Sequence, residues 1–125
     1  MTLQELNEYV REIISDQYLQ ETCRFSIEEN GGEWFQSFGR EEGDLVRGGV
    51  YYDRYGTIII EIAGGLNGSG DWKEYLSGIS DVLAKLEELP EVDKTYIVDI
   101  INDCPDDVFY LRIGINPVDE DDFEE

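Results

Sequence analysis

Carboxylate side chains dominate the chemistry that this sequence could perform. The first sixteen residues carry four of them at steps of three, four and four: Glu5, Glu8, Glu12 and Asp16. On an α-helix this spacing places them on one side, about 4.5 to 6 Å apart along the axis. A row of this kind could form charge-assisted hydrogen bonds with Lys and Arg. The spacing is also comparable with that of phosphates along one nucleic-acid strand.

The acidity extends well beyond that row. A second run lies in predicted hairpin loops: Glu28, Glu29, Glu33, Glu41, Glu42 and Asp44. Six more acids fall between Asn116 and Glu125, and the chain holds thirty acids against nine bases, a formal net charge of −21. Without those six the charge is −21 + 6 = −15, so the body is strongly acidic by itself. This charge attracts basic proteins and repels nucleic acid and anionic membranes.

The sequence argues against most catalytic and cofactor chemistry. Histidine is absent, which removes the commonest general base near neutral pH and the commonest metal ligand. Gly65, Gly68 and Gly70 give G-x-x-G-x-G, which is neither a dinucleotide fingerprint nor a P-loop. The acidic run "DEDDFEE" lacks the glycine turn of a calcium loop. We therefore expect no enzyme, no cofactor and no metal, although an unidentified carboxylate pair in a small hydrolase stays an alternative.

Aromatic residues in "VYYDRY" offer a second kind of contact surface. Neighbouring side chains of a strand point to opposite faces, so some of these tyrosines must face outward. Exposed tyrosine beside Asp or Glu is typical of protein-binding surfaces. We therefore add Tyr51 and Tyr55 to the candidate partner-binding residues.

The compartment is expected to be the cytoplasm. The opening residues are amphipathic and acidic, unlike a signal peptide. No apolar run approaches the length of about 20 residues that spans a bilayer. Cys23 and Cys104 lie far apart and are interpreted as buried thiols, with a single disulfide as the alternative.

Hydrophobic periodicity predicts two helices and six strands. Thr2 and Glu5 form a capping box that begins a helix fading near Gln20. A second helix follows Asp71, and Pro90 ends it. Strands are predicted at 23–28, 33–38, 45–53, 57–63, 94–102 and 107–115. The order is α-ββββ-α-ββ, which favours an α+β fold: a mostly antiparallel sheet with two helices on one face.

The expected organisation is one domain over residues 1–116, followed by a flexible acidic C-terminal tail at 117–125. The predicted core joins the helical stripes to the sheet: Leu6, Val10, Ile13, Ile60, Leu76, Ile79, Leu83 and Val98. The sequence leaves the oligomeric state open.

Small size, strong acidity and an α+β body without catalytic motifs resemble a class of inhibitors from phages and mobile elements. These are the anti-CRISPR and antirestriction proteins, several of which mimic DNA. The likeness is carried by the acidic row of the first helix and by Asp119 to Glu125. It implies a non-enzymatic protein that binds the basic nucleic-acid-binding surface of a CRISPR or restriction nuclease. The same features are similar to bacterial immunity proteins, which neutralise toxins, and that alternative stays open.

Overall fold

The computed structural model describes residues 1–27, 49–53, 55–65, 72–103 and 108–124. Three α-helices and four strands follow one another in these ranges, and a 3₁₀ turn comes last. In chain order they are α1 (Leu3–Ile14), α2 (Gln17–Thr22), β1 (Gly49–Tyr52), β2 (Ile58–Gly65), α3 (Trp72–Leu86), β3 (Val92–Asp103), β4 (Val108–Pro117) and the 3₁₀ turn Glu120–Asp122.

The capping box predicted for α1 is confirmed. Glu5 N donates to the Thr2 hydroxyl at 3.1 Å, and Thr2 N donates to the Glu5 carboxylate at 3.0 Å. Ile14 is the last residue of this helix, and Asp16 begins α2 by accepting from two backbone N–H groups. The single helix predicted to fade near Gln20 is therefore two helices with a break at Ser15.

The described sheet is antiparallel, with strand order β1-β2-β4-β3. Its register pairs Ile58 with Ile115, Ile60 with Ile113, and Ile62 with Leu111. Paired residues point to the same face of a sheet, so these six side chains share one surface. They belong to the same buried core as the apolar stripes of α1 and α3. The helices therefore cover this face, and the predicted α+β class is confirmed.

The predicted strand at 23–28 is reduced to one bridge in the described residues. Ser26 and Ala63 exchange two backbone hydrogen bonds of 2.8 Å. Arg24 has a φ of 53°, a left-handed conformation that strands do not adopt. The chain turns at Arg24 as it leaves α2, so strand pairing is limited to Ser26, although Cys23 and Phe25 are buried and Arg24 and Ser26 exposed as the alternation predicts. The predicted strand at 33–38 lies outside the described residues.

The expectation of a flexible tail at 117–125 is wrong for the described residues. Phe123 is 5% exposed and belongs to the core. Leu3 N donates to the Glu124 carbonyl at 2.7 Å, and Glu124 N donates to the Met1 carbonyl at 3.0 Å. Tyr52 donates its hydroxyl to the Phe123 carbonyl at 3.0 Å. A buried ring and these bonds together offset the entropy cost of ordering the segment.

Six of the eight predicted core residues are in or against the core, and the other two are exposed. Leu6, Val10, Ile60 and Ile79 are fully buried, and Ile13 and Leu83 pack against the same core. Leu76 is 51% exposed and Val98 is 41% exposed. Both lie on elements that reach the β3 side of the molecule, where no further described strand covers them.

Candidate functional site

The acidic row of α1 lies on the solvent side of its helix. Glu5, Glu8 and Glu12 are exposed, opposite the buried Leu6 and Val10. Glu5 also serves the capping box, and its hydrogen bonds with Thr2 hold the pKa of its carboxyl below the usual range. Only part of the row is therefore free of a structural role.

Asp16 ends the row and caps α2. Its carboxylate accepts from Tyr18 N at 3.0 Å and from Leu19 N at 3.3 Å. These bonds fix the position of the carboxylate at the junction of α1 and α2. The acidic row therefore continues past the break between α1 and α2. Neither the spacing of the acids nor the charge pattern predicts that break.

A groove lies between α1, α2 and α3 beside this junction. Its volume is about 580 Å³. Ten residues line it: Tyr9, Glu12, Ile13, Ser15, Asp16, Leu19, Asp81, Ala84, Lys85 and Glu88. Glu12 and Asp16 belong to the predicted row, so the structure joins half of that row to residues some seventy positions away. Tyr9 ties the two walls together, because its hydroxyl donates to the Lys85 carbonyl at 3.0 Å.

The groove combines an apolar interior with a negative charge. Ile13, Leu19 and Ala84 supply aliphatic surface among its lining residues. Four carboxylates and one ammonium group give the lining a formal charge of −4 + 1 = −3. The ammonium of Lys85 lies 3.7 Å from Glu88, an exposed pair of small energetic weight. The side chains of Arg and Lys have an aliphatic stem and a cationic head, which matches this arrangement.

The sequence identified one wall of the groove and missed the other. Asp81 and Glu88 were not singled out, because they were two acids among thirty. Their signal is helical spacing: Asp81 and Glu88 are seven residues apart, which is about two turns, so they fall on one side of the α3 path. That side differs from the buried stripe of Ile79, Val82 and Leu86.

Tyr51 is corrected as a partner-binding residue. It is buried, and its hydroxyl donates to the Glu61 carboxylate within the protein. Its strand has a second covered face, a possibility that simple alternation does not reveal. Tyr55, in contrast, is 78% exposed, so its role in binding stays a prediction. The six acids between Glu28 and Asp44 lie outside the described residues.

A polar network crosses the sheet face opposite the helices. Glu61 on β2 pairs with Arg112 on β4, which pairs with Asp99 on β3. Arg112 donates Nε to Asp99 at 2.6 Å, and a second nitrogen of its guanidinium contacts the other carboxylate oxygen. Hydrogen bonding to Asp99 raises the pKa of Arg112 above its usual range. The network links three strands and is buried at its β2 end, where Glu61 is only 4% exposed, while the Arg112 and Asp99 side chains are partly exposed.

The described residues offer little for metal or thiol chemistry. Within them no group of three or more His, Cys, Asp or Glu side chains is arranged to hold a metal ion. Cys23 is a free, buried cysteine, and burial raises the pKa of its thiol, which makes the reactive thiolate scarce. Cys104 lies outside the described residues. In the same ranges, no helix is both long and apolar enough to cross a membrane.

Comparison with known proteins adds no relative. The chain matches no protein-family model, no curated protein and no solved structure. The case for a function therefore depends on the groove and on the charge of the chain.

Proposed function

We propose that this protein is a non-enzymatic inhibitor that binds a basic nucleic-acid-binding surface, most simply that of a CRISPR or restriction nuclease. The observation that carries the proposal is the acidic groove between α1, α2 and α3. Glu12 and Asp81 lie on α1 and α3, Asp16 caps α2, and Glu88 follows α3 by two residues. These four carboxylates surround an aliphatic interior. Arg and Lys side chains that normally hold phosphate supply the complementary cations.

The groove holds its charges in place before binding. Asp16 is fixed as the cap of α2, and Tyr9 links α1 to the end of α3. Side chains on packed helices have already lost part of the entropy that a flexible acidic segment would lose on docking. This favours the groove over any unstructured acidic stretch as the principal contact.

The net charge of −21 sets how the partner is approached. A field of this size steers a basic protein toward the acidic surface and raises the association rate. Salt at about 0.15 M shortens the Debye length to roughly 8 Å, so the association rate should fall as salt rises. The choice of a nuclease as the partner comes from the resemblance to anti-defence inhibitors.

The proposal is tested by DNA cleavage in the presence of the purified chain. A panel of CRISPR effectors, restriction nucleases and cationic toxin nucleases is assayed, with and without competitor DNA. We expect at least one nuclease to be inhibited, less strongly when competitor DNA is in excess. Inhibition restricted to toxin nucleases would favour the alternative function, an immunity protein that neutralises a bacterial toxin. Absence of inhibition across the panel, even at a large molar excess, would count against the proposal.

A further inference from the structure

The edge of the sheet at β3 exposes apolar side chains. Between 36% and 44% of each of four residues is exposed: Tyr96, Ile97, Val98 and Ile100. Among the described strands β3 has one neighbour, β4, and so lies at the edge of the sheet. Long apolar edge strands invite pairing with another chain, and proteins usually shorten, charge or cover them. This edge is twelve residues long and only partly protected.

The protection lies at one end of the strand. Glu87, directly after α3, accepts hydrogen bonds from Thr95 N at 3.2 Å and from the Thr95 hydroxyl at 2.8 Å. This carboxylate therefore occupies one backbone donor of the edge. Beyond Thr95, a register shift between Ile97 and Asp99 adds a local irregularity. The remaining length, from Ile97 to Asp103, pairs with β4 on one side.

Helix α3 continues the apolar surface of β3. The Glu87–Thr95 bonds join the end of α3 to the start of β3. At the other end Trp72 contacts Phe109, the strand partner of Asn102, so α3 and β3 run in opposite directions. From Glu87, eleven residues back along α3 cover about 16 Å, and from Thr95, five residues forward along β3 cover about the same distance. Leu76 therefore lies level with Ile100. In the same way, four residues back from Glu87 and two forward from Thr95 place Leu83 level with Ile97. Ile97 and Ile100 pair with the core residues Ile113 and Leu111, so they lie on the helix side.

These four residues form what we call the edge strip: Leu76, Leu83, Ile97 and Ile100. They form two neighbouring pairs, Leu83 with Ile97 and Leu76 with Ile100, about 10 Å apart along the surface. The sequence marks Leu76 and Leu83 as core residues, yet Leu76 is half exposed. A surface of this composition is typical of one that another chain covers.

The charges around the edge strip identify the kind of chain. Glu87, Glu91 and Asp93 lie at the Thr95 end, and Lys94 is the one base between Val92 and Ile100. A second copy would bring the same acidic surface and a further net charge of −21, and like-charge juxtaposition is costly. A segment with Lys and Arg between its apolar residues would instead neutralise these carboxylates.

We infer that the edge strip binds an extended basic segment of a partner protein, which adds to β3 as a further strand. Main-chain hydrogen bonds to β3 beyond Thr95 supply affinity, as in other cases of strand addition. Alternate apolar side chains of the segment cover Leu76, Ile97 and Ile100, and its cationic side chains meet the acidic end. The inference shares the basic partner of the proposed function but uses another surface, so the two can fail separately.

The test uses a labelled synthetic peptide, Lys-Val-Arg-Val-Lys-Val-Arg, with blocked ends. Fluorescence anisotropy measures its binding to the full chain at about 0.15 M salt. Two control peptides replace the bases by Glu or replace the central Val-Lys by Pro-Pro. We expect both controls to bind at least about tenfold more weakly, a difference of about 1.4 kcal/mol. Backbone amides from Ile97 to Asn102 should exchange hydrogen more slowly when the first peptide is bound.

Matched variants assign the peptide to a surface. The double variant Ile97→Thr and Ile100→Thr keeps β-branched side chains but removes apolar area, and it should weaken binding at least about tenfold. The groove variant Glu12→Gln, Asp81→Asn and Glu88→Gln should weaken peptide binding much less than the strip variant, because the groove can hold single cationic side chains but offers no strand edge. Urea unfolding checks that both variants are folded.

Three results would overturn the inference. The first is equal binding of the acidic or proline peptide, or no binding at all. The second is binding that the groove variant abolishes and the strip variant leaves intact, which would move the peptide to the groove and leave the proposed function standing. The third is a dimer in sedimentation that the strip variant dissociates and the peptide does not, which would assign the edge to a second copy.

Discussion

The groove and the C-terminal segment are both acidic, yet their carboxylates have different tasks. In the segment, Asp119 accepts from Asp121 N at 3.1 Å, and Asp122 accepts from Asp119 N at 2.9 Å, so both hold the 3₁₀ turn. In the groove, Glu12 and Asp81 lie within helices, where neither can act as an N-cap. Asp16 has both tasks, because it lines the groove and caps α2, but the other groove carboxylates face the concave surface without capping a helix.

The difference shows that a run of acids does not by itself indicate a flexible tail. One buried aromatic side chain, Phe123, together with backbone hydrogen bonds to the first residues, docks a segment in which six of nine residues are acidic. Since like charges repel, groove carboxylates without a structural task lower stability slightly. Contact with a basic partner would offset this cost in the complex. Four predictions follow from separating the two regions.

The largest effect is expected for the anchor of the C-terminal segment. Phe123→Ala should lower the free energy of unfolding by about 3 to 5 kcal/mol, because it removes a buried ring and leaves a cavity. Urea denaturation measures the loss. The double variant Glu120→Gln and Asp121→Asn is the control, since it changes the charge of the segment and keeps the ring. If Phe123→Ala and the control unfold at the same urea concentration, the segment is not anchored as described.

A smaller effect on stability is expected when the capping carboxylate Asp119 and the groove carboxylate Asp81 are each removed. Asp119→Ala removes a cap and should cost about 0.5 to 1 kcal/mol. Asp81→Ala should stay within about 0.5 kcal/mol of the unmodified chain, because Ala is the better helix former and a repulsive charge is lost. Both changes remove one carboxylate, so the total charge is matched in the comparison. Equal losses of stability would abolish the distinction between the two regions.

The smallest effect is a difference in melting temperature between variants of two residues in the acidic row of α1, Glu5 and Glu8. The pKa of Glu5 is lowered in the folded protein, so its stabilising contribution is present above its unfolded value, near 4.5, and is lost as the pH falls. Glu5→Gln should therefore reduce the melting temperature slightly at pH 7 and not at pH 3. Glu8→Gln, on the same exposed side, is the control. A loss at pH 7 that persists unchanged at pH 3 would show that charge is not the cause.

Local sequence signals predicted those parts of the fold that depend on local contacts. The capping box at Thr2 and the apolar stripe with Leu6 and Val10 specify α1 without tertiary information. The strand predicted at 57–63 from its run of isoleucines is confirmed as β2, which spans Ile58–Gly65. These signals lie within a few turns or one strand, so a single sequence contains them.

The remaining parts depend on contacts between distant residues. The burial of Phe123 requires the chain ends to meet, since Met1 and Glu124 are hydrogen-bonded across the whole chain. The burial of Tyr51 requires that both faces of its strand be covered. The second wall of the groove requires α3 to pack beside α1. The alternation at 23–27 correctly predicts which side chains are buried, but the strand does not form because Arg24 takes a left-handed conformation, which the side-chain pattern does not indicate.

The central claim is that the groove, and not the C-terminal segment, contacts the basic partner. It is tested most directly by measuring how two charge-matched variants bind the nuclease that the inhibition panel identifies. One variant is Glu12→Gln, Asp81→Asn and Glu88→Gln, which leaves the cap Asp16 intact. The other is Glu120→Gln, Asp121→Asn and Glu124→Gln, which leaves the capping pair Asp119 and Asp122 intact. Each variant loses three carboxylates from the exposed surface.

The dissociation constant of each variant is measured by calorimetry at about 0.15 M salt, where long-range steering is mostly screened. The groove variant should bind at least about tenfold more weakly than the unmodified chain, a loss of about 1.4 kcal/mol or more. The C-terminal variant should lose less than about threefold in affinity, because its carboxylates act mainly through the general field. Losses of equal size, or a larger loss for the C-terminal variant while both proteins remain folded, would contradict the account.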